Sequence, residues 1–443
     1  MSLPIDSDAP AADLSRFDDD SAEEMYSDIP DGSCDAVIGG ARVTETASSA
    51  RPAVTWKLRI PGRPLPHGRG RETSMAKTKA LCIFGTLLGN KTMVSKLVEA
   101  LDGLPELEPT YVLIGPEDYA KYRAPWWART MDPWEFEFVA RRKAQGALDG
   151  RFDILLVNSW ELAVEFRELA RALPSAVVLD ATPATIHRQL RQRGITGWKR
   201  TLANQVHHRS FAVVAGRFDY FLPKGSECAD SLHFDYGIAR ERCFTTLAPQ
   251  HLDSWKPTAR SYSPPARLLF VGNDFTRKGG DFLLRLYADH LAGFCTLTIA
   301  SDDPAMKGER LPPGVEWLRG KRRDELLPVF QSSDIFVFPS QQDFTPEVLC
   351  EALAVGLPCF TTDIEGVRDL VRNGETGFRM PRGASAEAWA AQLHRLLANP
   401  AEIGRMSANA RRFAEENLNF DRFTSLIADV MERLRVTAQR GKR

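Results

Sequence analysis

The chain has almost no net charge: 57 Lys and Arg face 58 Asp and Glu over 443 residues, leaving −1 with His neutral. No global field therefore argues for a nucleic-acid partner, and any electrostatic recognition must be local. No apolar run reaches the ~20 residues needed to cross a bilayer. The N-terminus is acidic rather than basic and then apolar, so it does not read as a secretory signal. Cysteines are few and odd in number (Cys34, Cys82, Cys228, Cys243, Cys295, Cys350 and Cys359), with no CxxC and mostly apolar surroundings. That is the pattern of reduced, buried thiols, and it makes the cytoplasm the expected compartment. A hydrophobic fraction of 43% and a charged fraction of 26% are those of an ordinary soluble globular protein.

What is present falls into four stretches. Residues 1–76 lack sustained apolar periodicity, holding an acidic stretch (RFDDDSAEEMYSD) and then a Pro/Gly/Arg-rich one (RIPGRPLPHGRGR). Both bury too little to offset chain entropy, so this extension reads as disordered. Residues 77–256 repeat a strand-turn-helix pattern whose strands, KALCIFG, YVLIG, DILLVNS, AVVLDAT and DYFLPKG, are short and nearly continuously apolar. Such strands belong to a parallel sheet covered on both faces. TLAPQHLDSWKPTARSYSPPAR reads as an interdomain linker. Residues 257–415 restart the pattern with RLLFVG, CTLTIAS, DIFVFPS and PCFTTD, and residues 416–443 form a charged amphipathic helix that can pack back on the first domain. The expected fold class is α/β: two Rossmann-like, doubly wound domains facing a cleft. Neither domain shows GxGxxG followed by a ribose-binding acid, which disfavours a nicotinamide oxidoreductase.

Two motifs in the second domain carry chemistry. In FVGNDFTRKGG a strand ends at Gly272 and a helix begins near Gly279, with Arg277 and Lys278 at the turn. Glycine lets backbone approach a phosphate, and the cations neutralise charge growing on a leaving diphosphate. The ordinary reading is a solvated pair at a helix start. In DIFVFPSQQDFTPEVLCEALAVGLPCFTTD, Asp343 sits in a turn and Glu351 is the first exposed acid of the following helix. Both lie at the C-terminal edge of a parallel sheet beside a helix N-terminus, where small and anionic ligands bind. A carboxylate only accepts, which suits sugar hydroxyls. The ordinary readings are an exposed helix residue for Glu351 and a turn or cap for Asp343.

Taken in order with GVRDLVRNGETGF, these motifs resemble the retaining, nucleotide-sugar-dependent glycosyltransferases of the GT-B fold, family four. The resemblance implies that Lys278 grips the donor diphosphate, Asp343 contacts the transferred sugar and Glu351 accepts from the ribose hydroxyls. It also implies that the backbone at Phe344, Thr345 and Pro346 meets donor oxygens, Pro346 standing in a first helical turn. The second domain departs from the family pattern at three places. Asn273 stands where an Arg is usual, Asp343 where a Glu is usual, and Glu347 where a small or apolar residue is common. In the first domain, Asn158 and Asp180 occupy places where relatives carry His. Asp180 either accepts a hydroxyl proton or orients the acceptor, or else caps the next helix. His187 follows, beside three arginines, as a surface residue or a neighbour of the cleft. In the family the leaving phosphate itself takes the acceptor proton, so no protein nucleophile and no metal is implied. Asp18-Asp19-Asp20 and Asp302-Asp303 are rejected as metal sites, the second as a strand end without partners.

HRQLRQRGITGWKRTLANQVHHRS contains many cations, no acid, and Trp198; RAPWWARTMDPWEFEF adds Trp126, Trp127 and Trp134. Such a surface suits an anionic acceptor or acidic lipid headgroups, the alternative being a solvated helix with aromatics packed inward. The glycine-containing turn FGTLLGN would border the acceptor. The expected activity is transfer of a sugar from a nucleoside diphosphate donor to a saccharide or glycolipid hydroxyl, in surface polysaccharide or glycolipid synthesis. The rival is a non-catalytic nucleotide-sugar-binding protein of the same fold.

Overall fold

The computed structural model describes residues 77–87, 90–125, 129, 132–195, 197–259, 262, 264–304 and 310–441, with backbone alone at 132, 133, 199 and 441. The stretches before Lys77, with Asp18-Asp19-Asp20 and Cys34, and also Gly89, Trp126 and Trp127, lie outside the described residues.

The first sheet runs β1 (Thr78–Gly85), β2 (Leu107–Ile114), β3 (Ile154–Val157), β4 (Ser175–Leu179) and β5 (Tyr220–Pro223) along the chain. In space its order is β2-β1-β3-β4-β5, parallel throughout. Crossovers are made by α1 (Asn90–Asp102), α2 (Pro116–Lys121), α3 (Asp132–Leu148), α4 (Trp160–Glu165), α5 (Arg167–Ala172), α6 (Pro183–Gln192) and α7 (Trp198–Ala215), and α8 (Ser226–Phe234) follows β5. Strand side chains alternate between faces. In β1, Leu81 and Ile83 join one apolar cluster while Ala80, Cys82 and Phe84 join the other, all fully buried. Burial on both faces is why the strands read as unbroken apolar runs.

The second sheet holds β6 (Ala266–Val271), β7 (Cys295–Ala300), β8 (Val315–Leu318), β9 (Ile335–Phe338), β10 (Cys359–Thr362) and β11 (Gly377–Met380). Its order is β11-β10-β9-β6-β7-β8, again parallel. Its helices are α9 (Gly280–Leu286), α10 (Arg323–Ser332), α11 (Glu347–Ala354), α12 (Glu365–Arg368), α13 (Ala386–Leu397) and α14 (Pro400–Asn417). The strands β8 and β11 were not legible as apolar runs because they are the two edges of this sheet. VEWL and GFRM keep most positions half-buried or exposed, and an edge strand needs less apolar cover.

The last helix, α15 (Phe420–Gly441), returns to the first sheet. Phe423, Ile427, Val430, Met431 and Leu434, spaced on one helical face, pack with Met93, Val94 and Leu97 of α1. Each such side chain contributes roughly 1.5–3 kcal/mol when fully buried. The outgoing and returning chain segments meet where Gln250 N donates to Leu418 O at 2.6 Å. The linker is not all spacer: Trp255 is buried in the second domain's core against the Phe330 ring. Among the described residues no helix is long and apolar enough to cross a membrane.

Candidate active site

The C-terminal edges of the two sheets face each other, and the loops leaving β4, β5, β6 and β9 supply the polar residues between them. Contacts cross from one domain to the other. Lys96 Nζ of α1 donates to Glu347 Oε2 of α11 at 3.0 Å. Thr345 Oγ1 donates to Lys224 O at 3.0 Å, and Ser226 N donates to Asp369 Oδ2 at 2.6 Å. Arg193, at the end of α6, donates to the Gln342 side chain.

The loops after β6 and β9 are built on glycine. Gly279 lies at φ +79°, the left-handed region, and a Cβ there would strike Pro339 O. Gly272 serves by absence of a side chain: a Cβ would occupy the space taken by the Lys278 stem. Lys278 thus folds back over the end of β6, its Nζ 5.8 Å from the centroid of the Phe338 ring. Burial lowers its pKa, Asp343 opposes that shift, Arg277 adds to it, and Asp274 and Glu351 oppose it. Lys278 and Asp343 thus each offset part of the other's burial shift. Asp343 is raised by burial and held down by Lys278, then Arg277, then the Thr345 and Phe344 amides.

Arg277 is engaged on three sides. Its Nε donates to Asp274, its Nη1 donates to Gln342 O at 2.6 Å, and Asp343 Oδ2 lies 3.8 Å away. Asn273 Oδ1 accepts from Asp302 N at 3.1 Å, so this residue braces the loop after β7. Asp302 Oδ1 accepts from Gly320 N at 2.5 Å and Asp303 Oδ2 from Phe275 N at 2.6 Å. Both acids tie loops together. Pro346 is the N-cap residue of α11, and the helix starts at Glu347.

Glu351 corrects the sequence reading most. It is 7% exposed, not an exposed helix acid. Its Oε1 accepts from Arg323 Nε at 2.6 Å, and burial raises its pKa against the opposing charges of Arg323 and Lys96. Sequence reasoning missed Arg323, one of three consecutive cations in KRRDELL. Arg323 is fixed in turn by Gln250 Oε1 at 2.8 Å and by the Trp255 ring, 5.4 Å from its Cζ. A carboxylate has about four lone-pair positions, so one guanidinium leaves Glu351 able to accept hydroxyls.

On the first-domain side, Asp180 follows β4 and pairs with Lys224, which follows β5 and is 4% exposed. The cap of α6 is Thr182, whose hydroxyl accepts from Thr185 N at 3.2 Å, so the capping reading of Asp180 is corrected. Burial pushes the Lys224 ammonium down to about 8; Glu347 opposes this, Lys96 adds to it, and Asp343 opposes it. Asn158 is a backbone clasp: Oδ1 accepts from Gly85 N at 2.7 Å while Nδ2 donates to Gly85 O at 3.0 Å. His187 is half-buried on α6. Two buried cations, Lys96 and Lys224, were missed because a lysine's burial depends on partners far away in sequence.

Cations, carboxylates and hydroxyls thus line the facing sheet edges, where α/β proteins take polar small ligands. Residues 265–399 match the family model described as glycosyl transferases group 1. The chain carries a group 1 glycosyl transferase domain. That domain contains Gly272, Asn273, Arg277, Lys278, Asp343, Phe344, Thr345, Pro346, Glu347 and Glu351. The chain is 26% identical over 226 residues to a D-inositol 3-phosphate glycosyltransferase of Rhodococcus erythropolis, 46% of this chain and 51% of the relative. It is 28% identical over 314 residues to a glycogen synthase of Mycobacterium tuberculosis, 66% of this chain and 70% of that one. The chain thus spans about half the length of the inositol-phosphate glycosyltransferases it matches. Among solved structures, a sucrose-phosphate synthase from Thermosynechococcus elongatus superposes with TM-score 0.63 at 14% identity, over 82% of this chain and 100% of that one. Anabaena HepE, solved in complex with UDP and glucose, superposes with TM-score 0.60 at 14% identity, over 80% and 99%. The group 1 domain and the domain facing it together make the GT-B fold.

Proposed function

We propose that the protein is a retaining glycosyltransferase that moves a sugar from a nucleoside diphosphate donor to a hydroxyl of a saccharide or glycolipid acceptor. The observation that carries this reading is Lys278, half-buried and folded over the end of β6 in the space that Gly272 leaves open, with the Asp343 carboxylate opposing the fall in its pKa. In it, Lys278 holds the donor diphosphate with Arg277 beside it, Glu351 takes ribose hydroxyls and Asp343 a hydroxyl of the transferred sugar. The group 1 model and the names of the relatives support the reaction class. The HepE complex supports a uridine diphosphate donor. Lys278 and Arg277 supply the positive charge a leaving diphosphate requires, so the reading calls for no metal. Asp180, held by Lys224, orients the acceptor hydroxyl from the opposite sheet. Surface polysaccharide or glycolipid synthesis is the setting.

A second reading, a non-catalytic nucleotide-sugar-binding protein, is favoured by Asn158 acting as a backbone clasp. Thermal-shift titration with a panel of nucleoside diphosphate sugars tests both. A donor at 100 times its Kd stabilises the folded state by about 2.7 kcal/mol. Stabilisation lost in Lys278→Ala, together with turnover of that donor by the wild type, supports the enzyme. Stabilisation without transfer or hydrolysis supports the binding protein, and no stabilisation by any donor removes both.

A further inference from the structure

One helix of the first domain is apolar on two faces. On α7, Phe211, Val214 and Ala215 are buried against the sheet. The opposite face carries Trp198 at 75% exposure, Leu202 at 55%, Val206 at 41% and Val213 at 66%. At 3.6 residues per turn these four fall within one stripe of about 80°, and Arg209 falls inside it. Half of the large apolar residues exposed among the described ones therefore sit on one helix face. Isolated exposed apolar residues are ordinary, but a contiguous stripe marks a contact surface.

The charge around the stripe selects what covers it. Between Asp180 and Asp219 the chain has no acidic residue, while Arg188, Arg191, Arg193, Lys199, Arg200, Arg209 and Arg217 are all present. Arg191 and Arg200 are exposed at the end of α6 and the start of α7, and Arg209 is exposed within the stripe. A second copy of the chain is a poor cover, because a two-fold contact sets this cationic surface against itself. An interface rich in Trp, Leu and Val between arginines fits the boundary between acidic headgroups and acyl chains.

We propose that the exposed face of α7 docks the protein on an anionic lipid surface. Trp198 and Leu202 enter the headgroup boundary, and Arg200, Arg209 and Arg191 meet acidic headgroups. Trp198 lies five residues from Arg193, which contacts Gln342 beside Asp343. Docking there brings the mouth of the cleft to the bilayer. This last step rests on the proposed function and narrows the acceptor to a lipid-borne hydroxyl.

The test is co-sedimentation of the full chain with phosphatidylcholine vesicles, with and without phosphatidylglycerol, at low and high salt. Expected is binding to the anionic vesicles only, weakened by salt, and reduced about tenfold or more by Leu202→Glu or Arg209→Glu. Phe294→Glu, at an exposed apolar position of the second domain (61% exposed), leaves it unchanged. Absence of binding by the wild type overturns the proposal, as does equal loss in Phe294→Glu. A change of sedimenting mass caused by Leu202→Glu without vesicles overturns it too, by making the face an interface between copies. Donor thermal shifts on the same variants keep this result separate from the donor reading.

Discussion

Arg323 and Glu351 form a 2.6 Å ion pair between the start of α10 and the second turn of α11. The carboxylate assigned to the donor ribose is therefore aimed before any ligand arrives. Preorganisation of this kind removes a side-chain ordering cost from binding.

Glu351→Gln keeps the shape and removes the charge. Because hydrogen bonds to charged groups contribute roughly 1.5–3 kcal/mol, donor affinity is expected to fall on the order of tenfold to a hundredfold. Arg323→Ala leaves a buried carboxylate without its partner, and loss of ~3 kcal/mol of stability is expected. Donor titration and urea unfolding of the two variants check this. Unaltered donor affinity in Glu351→Gln rejects its role.

Gly272→Ala adds only a methyl group, but that methyl occupies the place of the Lys278 stem. Lys278 must then leave its seat. The expected outcome is a variant whose unliganded melting changes little and whose stabilisation by UDP is mostly lost. Full UDP stabilisation in this variant means Lys278 does not hold the diphosphate from that seat.

Lys96 and Glu347 join the two domains at 3.0 Å, with Lys96 only 2% exposed. Removing one member of such a pair strands the other, at a cost of about 3–5 kcal/mol. Glu347→Ala should destabilise by that order and open the two domains, enlarging the radius of gyration in small-angle scattering. Lys96→Met combined with Glu347→Leu replaces the pair by apolar contact and should restore most of the stability. If the single variant melts and scatters like the wild type, the pair does not hold the domains together.

Glu227, in the first turn of α8, has its pKa pushed up to about 7 by burial and then by Glu365 across the cleft, against Arg188. The folded state therefore binds more protons than the unfolded state between the ordinary Glu value and about 7. Stability from this group is full at acid pH and lost as pH rises through the folded value. Glu227→Gln removes the penalty. Its melting temperature should match the wild type below about pH 4.5, exceed it increasingly up to about pH 7 and by a constant margin above, and a pH-independent difference argues against the assignment.

The core strands and the glycine turn after β6 were legible because their signals are local. Buried parallel strands such as ILLV and IFVF are continuous apolar runs, and the glycines of FVGNDFTRKGG mark a turn where side chain and backbone approach closely. The edge strands VEWL and GFRM were not, because an edge position does not demand apolar side chains. Asp180 was left between a catalytic role and a cap, since a short polar residue before a helix fits both; Thr182, two residues on, takes the cap.

The amino-acid sequence by itself determined the two doubly wound layers, the break between them and the glycine turn after β6. Each follows from periodicity and from backbone freedom at a few residues. The tertiary structure alone decided that Glu351 is buried on Arg323 and that Lys224 lies against Asp180. It also decided that the final helix covers the first sheet and that Lys96 reaches Glu347, 251 positions along the chain. A charge's burial and pairing depend on which distant elements pack around it, and that information resides in the assembled contacts rather than in any local window of residues.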